Sequence, residues 1–350
     1  MSAIPPVELR TLERVLLNTA RKVPLHDRFR ALFALKSLKN DDAVAIISKG
    51  LVISDLVISD LTLLSTAFDD PSALLKHELA YCLGQMKRTS ALPVLESVLR
   101  NENEDPMVRH EAAEAIGAIS SATSVPILRE YLSDPNRSVR ETCEIALAKI
   151  DWDNSEEGRK HLAATESLDT VPTYTSIDPA PPSSYHLSRQ PKPDDVTEVS
   201  IPSLKEKLLN RELPLFERYR AMFALRNIGT PQAVDALACG FTDDSVLFKH
   251  EIAFVYGQLL SAHSVPSLIK VLRDTNECDM VRHEAAEALG GIATPEVLPH
   301  LKEWMTREDS PTVVRESCQV AIDMWEYENS GEFQYANTLE AAHTTEPAPA

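Results

Sequence analysis

Apolar positions recur at helical spacing through most of this 350-residue chain. Residues 7–20, from Val7-Glu8-Leu9 to Ala20, carry one such pattern. A second covers residues 25–38 and includes Arg28-Phe29-Arg30-Ala31-Leu32-Phe33-Ala34-Leu35. From residue 72 to 150 the pattern divides into three helical hairpins with turns at Pro93, Asp105-Pro106, Pro126 and Asp134-Pro135. Proline is tolerated at a helix start and breaks a helix interior, so these positions mark boundaries. Glycine is scarce, at 10 residues, and the periodic segments are helical, so the pattern predicts an all-α fold.

The pattern also repeats. Arg28 to Leu35 returns as Arg218-Tyr219-Arg220-Ala221-Met222-Phe223-Ala224-Leu225, 190 positions later. Ala43-Val44 up to Gly50 matches Ala233-Val234 up to Gly240 at the same offset, but Phe68-Asp69-Asp70 matches Phe241-Thr242-Asp243 at 173. An insertion of 17 residues therefore occupies positions 51–67, where Leu-Val-Ile-Ser-Asp occurs twice in tandem. It reads as a helix extension or loop, with a lid over a cleft as the competing reading. A fixed period of two helices is the signature of an α-solenoid of HEAT or armadillo type. The expected architecture is a solenoid of HEAT-like hairpins in two pseudo-symmetric halves, residues 1–151 and 201–328, which face each other across a cleft. Residues 152–200, rich in Pro, Ser, Asp and Thr, read as a flexible linker, and 329–350 as a disordered tail. Units at Val139-Arg140-Glu141-Thr142-Cys143 and Val314-Arg315-Glu316-Ser317-Cys318 close each half and read as solenoid caps.

Composition narrows the function. The net charge of −18 argues against nucleic acid and anionic membrane as partners and suits a cationic substrate. Five scattered cysteines without CxxC spacing read as reduced thiols of a cytosolic protein. The expected location is the cytoplasm, extending to the nucleus, and the expected state is a monomer. No signal peptide and no apolar run of membrane-spanning length is seen.

Candidate chemistry lies in four segments: Lys76-His77-Glu78-Leu79-Ala80, Arg109-His110-Glu111-Ala112-Ala113, Lys249-His250-Glu251-Ile252-Ala253 and Arg282-His283-Glu284-Ala285-Ala286. His77 and His110 are 33 residues apart, as are His250 and His283, and the two pairs are offset by 173. Imidazole and carboxylate together suit iron, manganese or zinc, and the lack of paired cysteines favours an oxygen/nitrogen site. Adjacent helical residues point about 100° apart, so each His-Glu pair straddles a shared cleft. Glycine follows each His by seven positions, at Gly84, Gly117, Gly257 and Gly290. Residues seven apart share a helix face, so each glycine lies under its His and leaves room for a metal, dioxygen or a substrate chain. A close helix–helix contact is the alternative reading of the same glycines. Glu114 and Glu287, four residues after His110 and His283, are candidate acceptors for imidazole N–H groups. Lys76, Arg109, Lys249 and Arg282 read either as orienting local carboxylates or as surface charge.

Ala73-Leu74-Leu75-Lys76-His77-Glu78-Leu79-Ala80-Tyr81-Cys82-Leu83-Gly84-Gln85 and Met107-Val108-Arg109-His110-Glu111-Ala112-Ala113-Glu114-Ala115-Ile116-Gly117 resemble the deoxyhypusine hydroxylase family. Lys249 to Gln258 and Met280 to Gly290 repeat both segments, so the resemblance covers both halves. The departures are the insertion, the linker and the tail, and none touches a motif residue. The resemblance implies a HEAT-repeat di-iron monooxygenase that completes hypusine by hydroxylating deoxyhypusine on translation initiation factor 5A. Implied cofactors are two Fe(2+) per chain, with dioxygen as co-substrate. The implied metal ligands are His77, Glu78, His110, Glu111, His250, Glu251, His283 and Glu284. Each iron is expected to take two His from one half and at least one Glu from the other. A Glu not used by iron, among Glu78, Glu111, Glu251 and Glu284, is expected to bind the substrate amines, with Gly84 and Gly257 admitting the slender chain. Competing readings are a non-catalytic HEAT-repeat scaffold or adaptor, a HEAT-like bilin lyase, and a zinc hydrolase.

Overall fold

The protein is described by a computed structural model over residues 6–18, 21–51, 70–167, 174, 176–183 and 200–331. Its described residues form helices and turns with no strand. The helices are α1 (Pro6–Leu17), α2 (Leu25–Leu38), α3 (Asp41–Lys49), α4 (Ala73–Gln85), α5 (Leu92–Arg100), α6 (Pro106–Ile119), α7 (Val125–Glu130) and α8 (Arg137–Asn154). There follow α9 (Glu156–Ser167), α10 (Ile201–Leu209), α11 (Leu215–Ile228), α12 (Pro231–Ala238), α13 (Val246–Leu259), α14 (Val265–Arg273), α15 (Asp279–Ile292), α16 (Val297–Thr306) and α17 (Thr312–Ser330).

Local chemistry sets the boundaries. Proline stands in the first turn of α5, α6 and α7, as the turn positions predict. The Ser72 hydroxyl accepts from the Leu75 N–H at the start of α4, and Ser245 accepts from Phe248 at the start of α13. These side chains satisfy amides that no helical carbonyl can reach. Gly229 ends α11 at φ +62, a left-handed conformation that glycine adopts without steric cost.

The second helices of the hairpins stack side by side: α2 on α4, α4 on α6 and α6 on α8, then α11 on α13, α13 on α15 and α15 on α17. The stack then closes on itself. α8 packs against α11 and α13, and α17 packs against α2 and α4. The terminal units are therefore joints rather than caps. In each, the Glu of the repeat is kept where the His is lost. Glu141 accepts a hydrogen bond from the Ser245 hydroxyl at 2.6 Å, and Glu316 accepts one from Ser72 at 2.8 Å. Each half thus braces the N-cap of the other half's first His-Glu helix. Arg30 adds a two-pronged ion pair to Asp323 of α17. The apolar cores interlock in the same way: Val320 of α17 lies in the N-terminal core, and Met107 and Ile145 lie in the C-terminal one.

Two expectations change here. Within 152–200, residues 156–167 form α9, which starts on Ser155 with Glu156 and Glu157 in its first turn. Residues 176–183 also pack on the folded halves, and Ala180 is fully buried. The 51–67 insertion beyond Leu51 and the tail beyond Gly331 lie outside the described residues. None of the described helices is long and apolar enough to cross a membrane.

Candidate metal centre

Each His-Glu pair occupies the fifth and sixth positions of its helix, on α4, α6, α13 and α15. Neighbouring helices approach closely enough to bring the imidazoles together. The ring centroids of His77 and His110 are 5.4 Å apart, as are those of His250 and His283. Across the two halves, His77 lies 5.4 Å from His283 and His110 lies 5.4 Å from His250. All four pairs therefore meet at one place, which closure of the ring produces.

Among the seventh-residue glycines, Gly84 permits this approach between α4 and α6, while Gly117 and Gly290 pack α6 and α15 onto α8 and α17. A β-carbon at Gly84 would lie 2.7 Å from the Ala115 Cα on the next helix, and one at Gly290 would lie 2.6 Å from the Ala321 Cα. Gly117 meets Ala146 in the same way. These three are helix–helix contacts, and the expectation that Gly84 admits substrate is corrected: it faces α6 and is outside the cavity lining. Gly257 does line the cavity, where a β-carbon would make only ordinary contact with Ala288 at 3.4 Å.

The basic residues preceding each His serve structure. Lys76 pairs with Glu104 and Lys249 with Glu277, both at 2.6 Å. Arg109 is buried, donating to the Leu99 carbonyl and to Asp134. Arg282 donates to the Leu272 carbonyl and stacks on Trp304 at 4.4 Å.

The imidazole nitrogens of the site are buried and unpaired. His110 and His283 are 0% exposed, and His77 and His250 are at most 5% exposed. All eight of their ring nitrogens are buried without a hydrogen-bond partner. Leaving one buried polar group unsatisfied costs about 1–3 kcal/mol, so eight in one cluster call for an electrophilic partner. Their chemistry fits a divalent cation. Burial drives the His110 and His283 imidazoles well below their ordinary pKa, so both are neutral, as metal binding requires. Burial and neighbouring carboxylates raise Glu251 well above the carboxylate range. Burial pushes Glu78 up to about 7 and Glu111 and Glu114 up to about 8. A cation among them reverses that cost.

The geometry sorts the motif residues. One donor atom each from His77, His110 and Glu111 lie within 4.8 Å of one another, with Glu111 3.2 Å from the His77 Nε2. In the other half, the Glu284 carboxylate lies 3.5 Å from the His250 Nε2. Each of these Glu lies against a histidine of its own half, and Glu111 and Glu284 are also within electrostatic reach of His250 and His77 of the opposite half. Donor atoms of His77, His250 and His283 also fall within 4.8 Å, so the two half-sites abut. Of the two predicted acceptors, Glu287 comes within 3.8 Å of the His283 Nδ1 and is held by the Ser317 hydroxyl at 3.0 Å.

A cavity of about 560 Å³ opens onto this cluster. Glu78, Glu111, Glu251 and Glu284 line it, with Glu114 and Glu287 beside them. Tyr81 and Phe254, equivalent positions in the two halves, meet edge to face at 6.0 Å in its wall. Lys36, Tyr174 and Ser176 also line it; Tyr174 and Ser176 lie between the repeated halves, and Lys36 belongs to the repeat without any chemical motif that would have singled it out.

Comparison with known proteins agrees with this architecture. The model for HEAT repeats matches residues 61–148 and 240–323, and that for the PBS lyase HEAT-like repeat matches 217–238. A deoxyhypusine hydroxylase of Lentinula edodes is 65% identical over 98% of this chain and 98% of its own. One from Rattus norvegicus is 45% identical over 95% of this chain and 96% of its own. The human deoxyhypusine hydroxylase structure, in complex with glycerol, superposes with a TM-score of 0.76 at 43% identity, covering 92% of this chain and 96% of that one. With both halves and all four His-Glu helices inside these matches, the chain belongs to the deoxyhypusine hydroxylase family.

Proposed function

We propose that this chain hydroxylates the deoxyhypusine side chain of translation initiation factor 5A, with dioxygen as oxidant and two ferrous ions as cofactor. The observation that carries the metal reading is the cluster of eight buried imidazole nitrogens without hydrogen-bond partners, set among four carboxylates. His77, His110 and Glu111 would hold one ion, and His250, His283 and Glu284 the other. Bound there, ferrous ions supply the activation of dioxygen that insertion of oxygen into a C–H bond requires.

The remaining residues have separate tasks. Glu78 and Glu251 follow the ligand histidines and line the cavity, where they take the cationic amines of the substrate. An incoming ammonium lowers the cost of ionising Glu78, which burial holds up at about 7. Tyr81 and Phe254 wall the aliphatic stretch between the amines and exclude water from it.

Iron content of anaerobically purified protein tests this reading, with His77→Ala and His283→Ala measured beside the native chain. Two irons per chain are expected in the native protein, with loss of half or more in each variant. Oxygen-dependent hydroxylation of the deoxyhypusine-bearing factor should fall with the iron. A native protein without iron, or iron indifferent to both substitutions, would overturn the reading.

A further inference from the structure

The cavity is one-sided although the residues around it are nearly twofold. Lys36 on α2 corresponds to Arg226 on α11 at the 190-residue offset, as Phe33 does to Phe223. The geometry repeats as well. The Lys36 ammonium sits 4.7 Å over the Phe33 ring, and the Arg226 guanidinium sits 4.8 Å over the Phe223 ring. Their surroundings differ. Arg226 is covered by the chain between the halves: Asp178 pairs with it in two-pronged fashion at 2.7 Å, and Tyr174 stacks on it at 4.2 Å.

That covering chain is bound as a peptide ligand is bound. The Gln85 side chain accepts from the Ile177 N–H at 2.7 Å and donates to its carbonyl at 3.4 Å. Gln258, the counterpart of Gln85 at offset 173, donates to the Ser176 hydroxyl at 2.6 Å. Downstream, the Ser183 N–H donates to the Arg220 carbonyl. On the other side no segment among the described residues fills the equivalent place. Lys36 is half-buried there, near Phe33 and Tyr81; it forms no ion pair among the described residues, although its charge acts on Glu78 across the cavity.

We propose that the groove at Lys36 receives an extended segment of the substrate protein, an acceptor oxygen of which bonds the Lys36 ammonium. The protein's own segment 176–183 occupies the matching groove at Arg226 and shows what such a surface accepts. Lys36 is thereby a specificity-determining residue: it reads the polypeptide around the modified side chain, while Glu78 and Glu251 read the amines. The inference rests on the hydroxylase reading for the identity of the substrate.

The test is binding of deoxyhypusine-bearing initiation factor 5A to the metal-loaded enzyme without dioxygen, measured by calorimetry, so that turnover is not required. Lys36→Met should weaken binding about tenfold or more, the range of a hydrogen bond to a charged group. Lys36→Arg, which copies the other half, should retain most of the affinity. Lys207→Met, on the outer surface, serves as the control and should bind as the native chain does. A loss that shrinks in high salt identifies a carboxylate on the substrate, and one that persists identifies a peptide carbonyl. In parallel, kcat/KM on the protein substrate should fall much further than on free deoxyhypusine. Unchanged affinity in Lys36→Met, or equal losses on the two substrates, would overturn the proposal. Native binding without hydroxylation would instead count against the hydroxylase reading.

Discussion

Gly84, Gly117 and Gly290 show how one absent methyl group bears on the packing of a helix that carries a candidate-site imidazole seven residues away. Each lets its helix approach the next so closely that an added β-carbon would lie within 3 Å of an alanine. Gly84→Ala and Gly290→Ala should therefore cost about 1–3 kcal/mol, the usual penalty for overpacking. Gly257→Ala, whose β-carbon meets Ala288 at 3.4 Å, should be near neutral or gain slightly from helix propensity. Urea denaturation of the three variants checks the order. Equal stability in all three would show that the close contacts relax freely. The spacing of these glycines was plain in the sequence. Their role was not, because a seven-residue period places a residue on a helix face without saying what meets that face.

At the scale of elements, a buried arginine recurs as a clip between successive helices. Arg28 donates to the Leu16 carbonyl and Asp70, Arg109 to Leu99 and Asp134, and Arg218 to Leu208 and Asp243. The fourth copy is incomplete. Arg282 reaches the Leu272 carbonyl, but its Nη2 is buried without a partner, and so is the Ser310 hydroxyl. Asp309, which matches Asp134 at the 175-residue offset relating Arg140-Glu141 to Arg315-Glu316, is exposed and pairs with Arg307 instead, and Ser310 is the buried residue beside it. Ser310→Asp should therefore complete the clip and stabilise the protein by about 1–3 kcal/mol, the worth of a charge-assisted hydrogen bond. Thermal unfolding at neutral pH reads this as a rise of a few degrees. A fall would mean that the new carboxylate does not reach Arg282 and is buried unpaired.

At the scale of the whole molecule, the site exists because the solenoid closes. Contacts between α17 and α2, and between α8 and α11, hold His77 and His110 against His250 and His283. Glu141 and Glu316 are the polar part of those joints. Glu316→Ala should leave Ser72 still capping α4 while removing its cross-half brace. The expected result is a modest loss of stability, about 1 kcal/mol, with a larger proportional loss in metal affinity as the halves part. Glu141→Ala should behave alike, and the double variant should lose its metal most readily in a chelator competition. Retention of native metal affinity by the double variant would show that apolar packing alone closes the ring.

The division of labour between sequence and tertiary structure follows from range. Helices, their capped starts, the twofold repeat and the four His-Glu motifs are written in local periods, and the sequence alone determined them. The burial of those motifs into one cluster was implied by the matched offsets. Ring closure was not, because its contacts join residues as distant as Ser72 and Glu316 or Arg30 and Asp323, which no local period relates. The segment 176–183 escaped for a related reason. Its polar, proline-rich composition resembles a linker, and its order comes from Gln85, Arg226 and Gln258 on helices far away in the chain. Which Glu accompanies which pair of histidines was likewise a tertiary decision. Helical geometry gives a carboxylate a direction, but only the packing of α4 on α6 and of α13 on α15 sets the distance it spans.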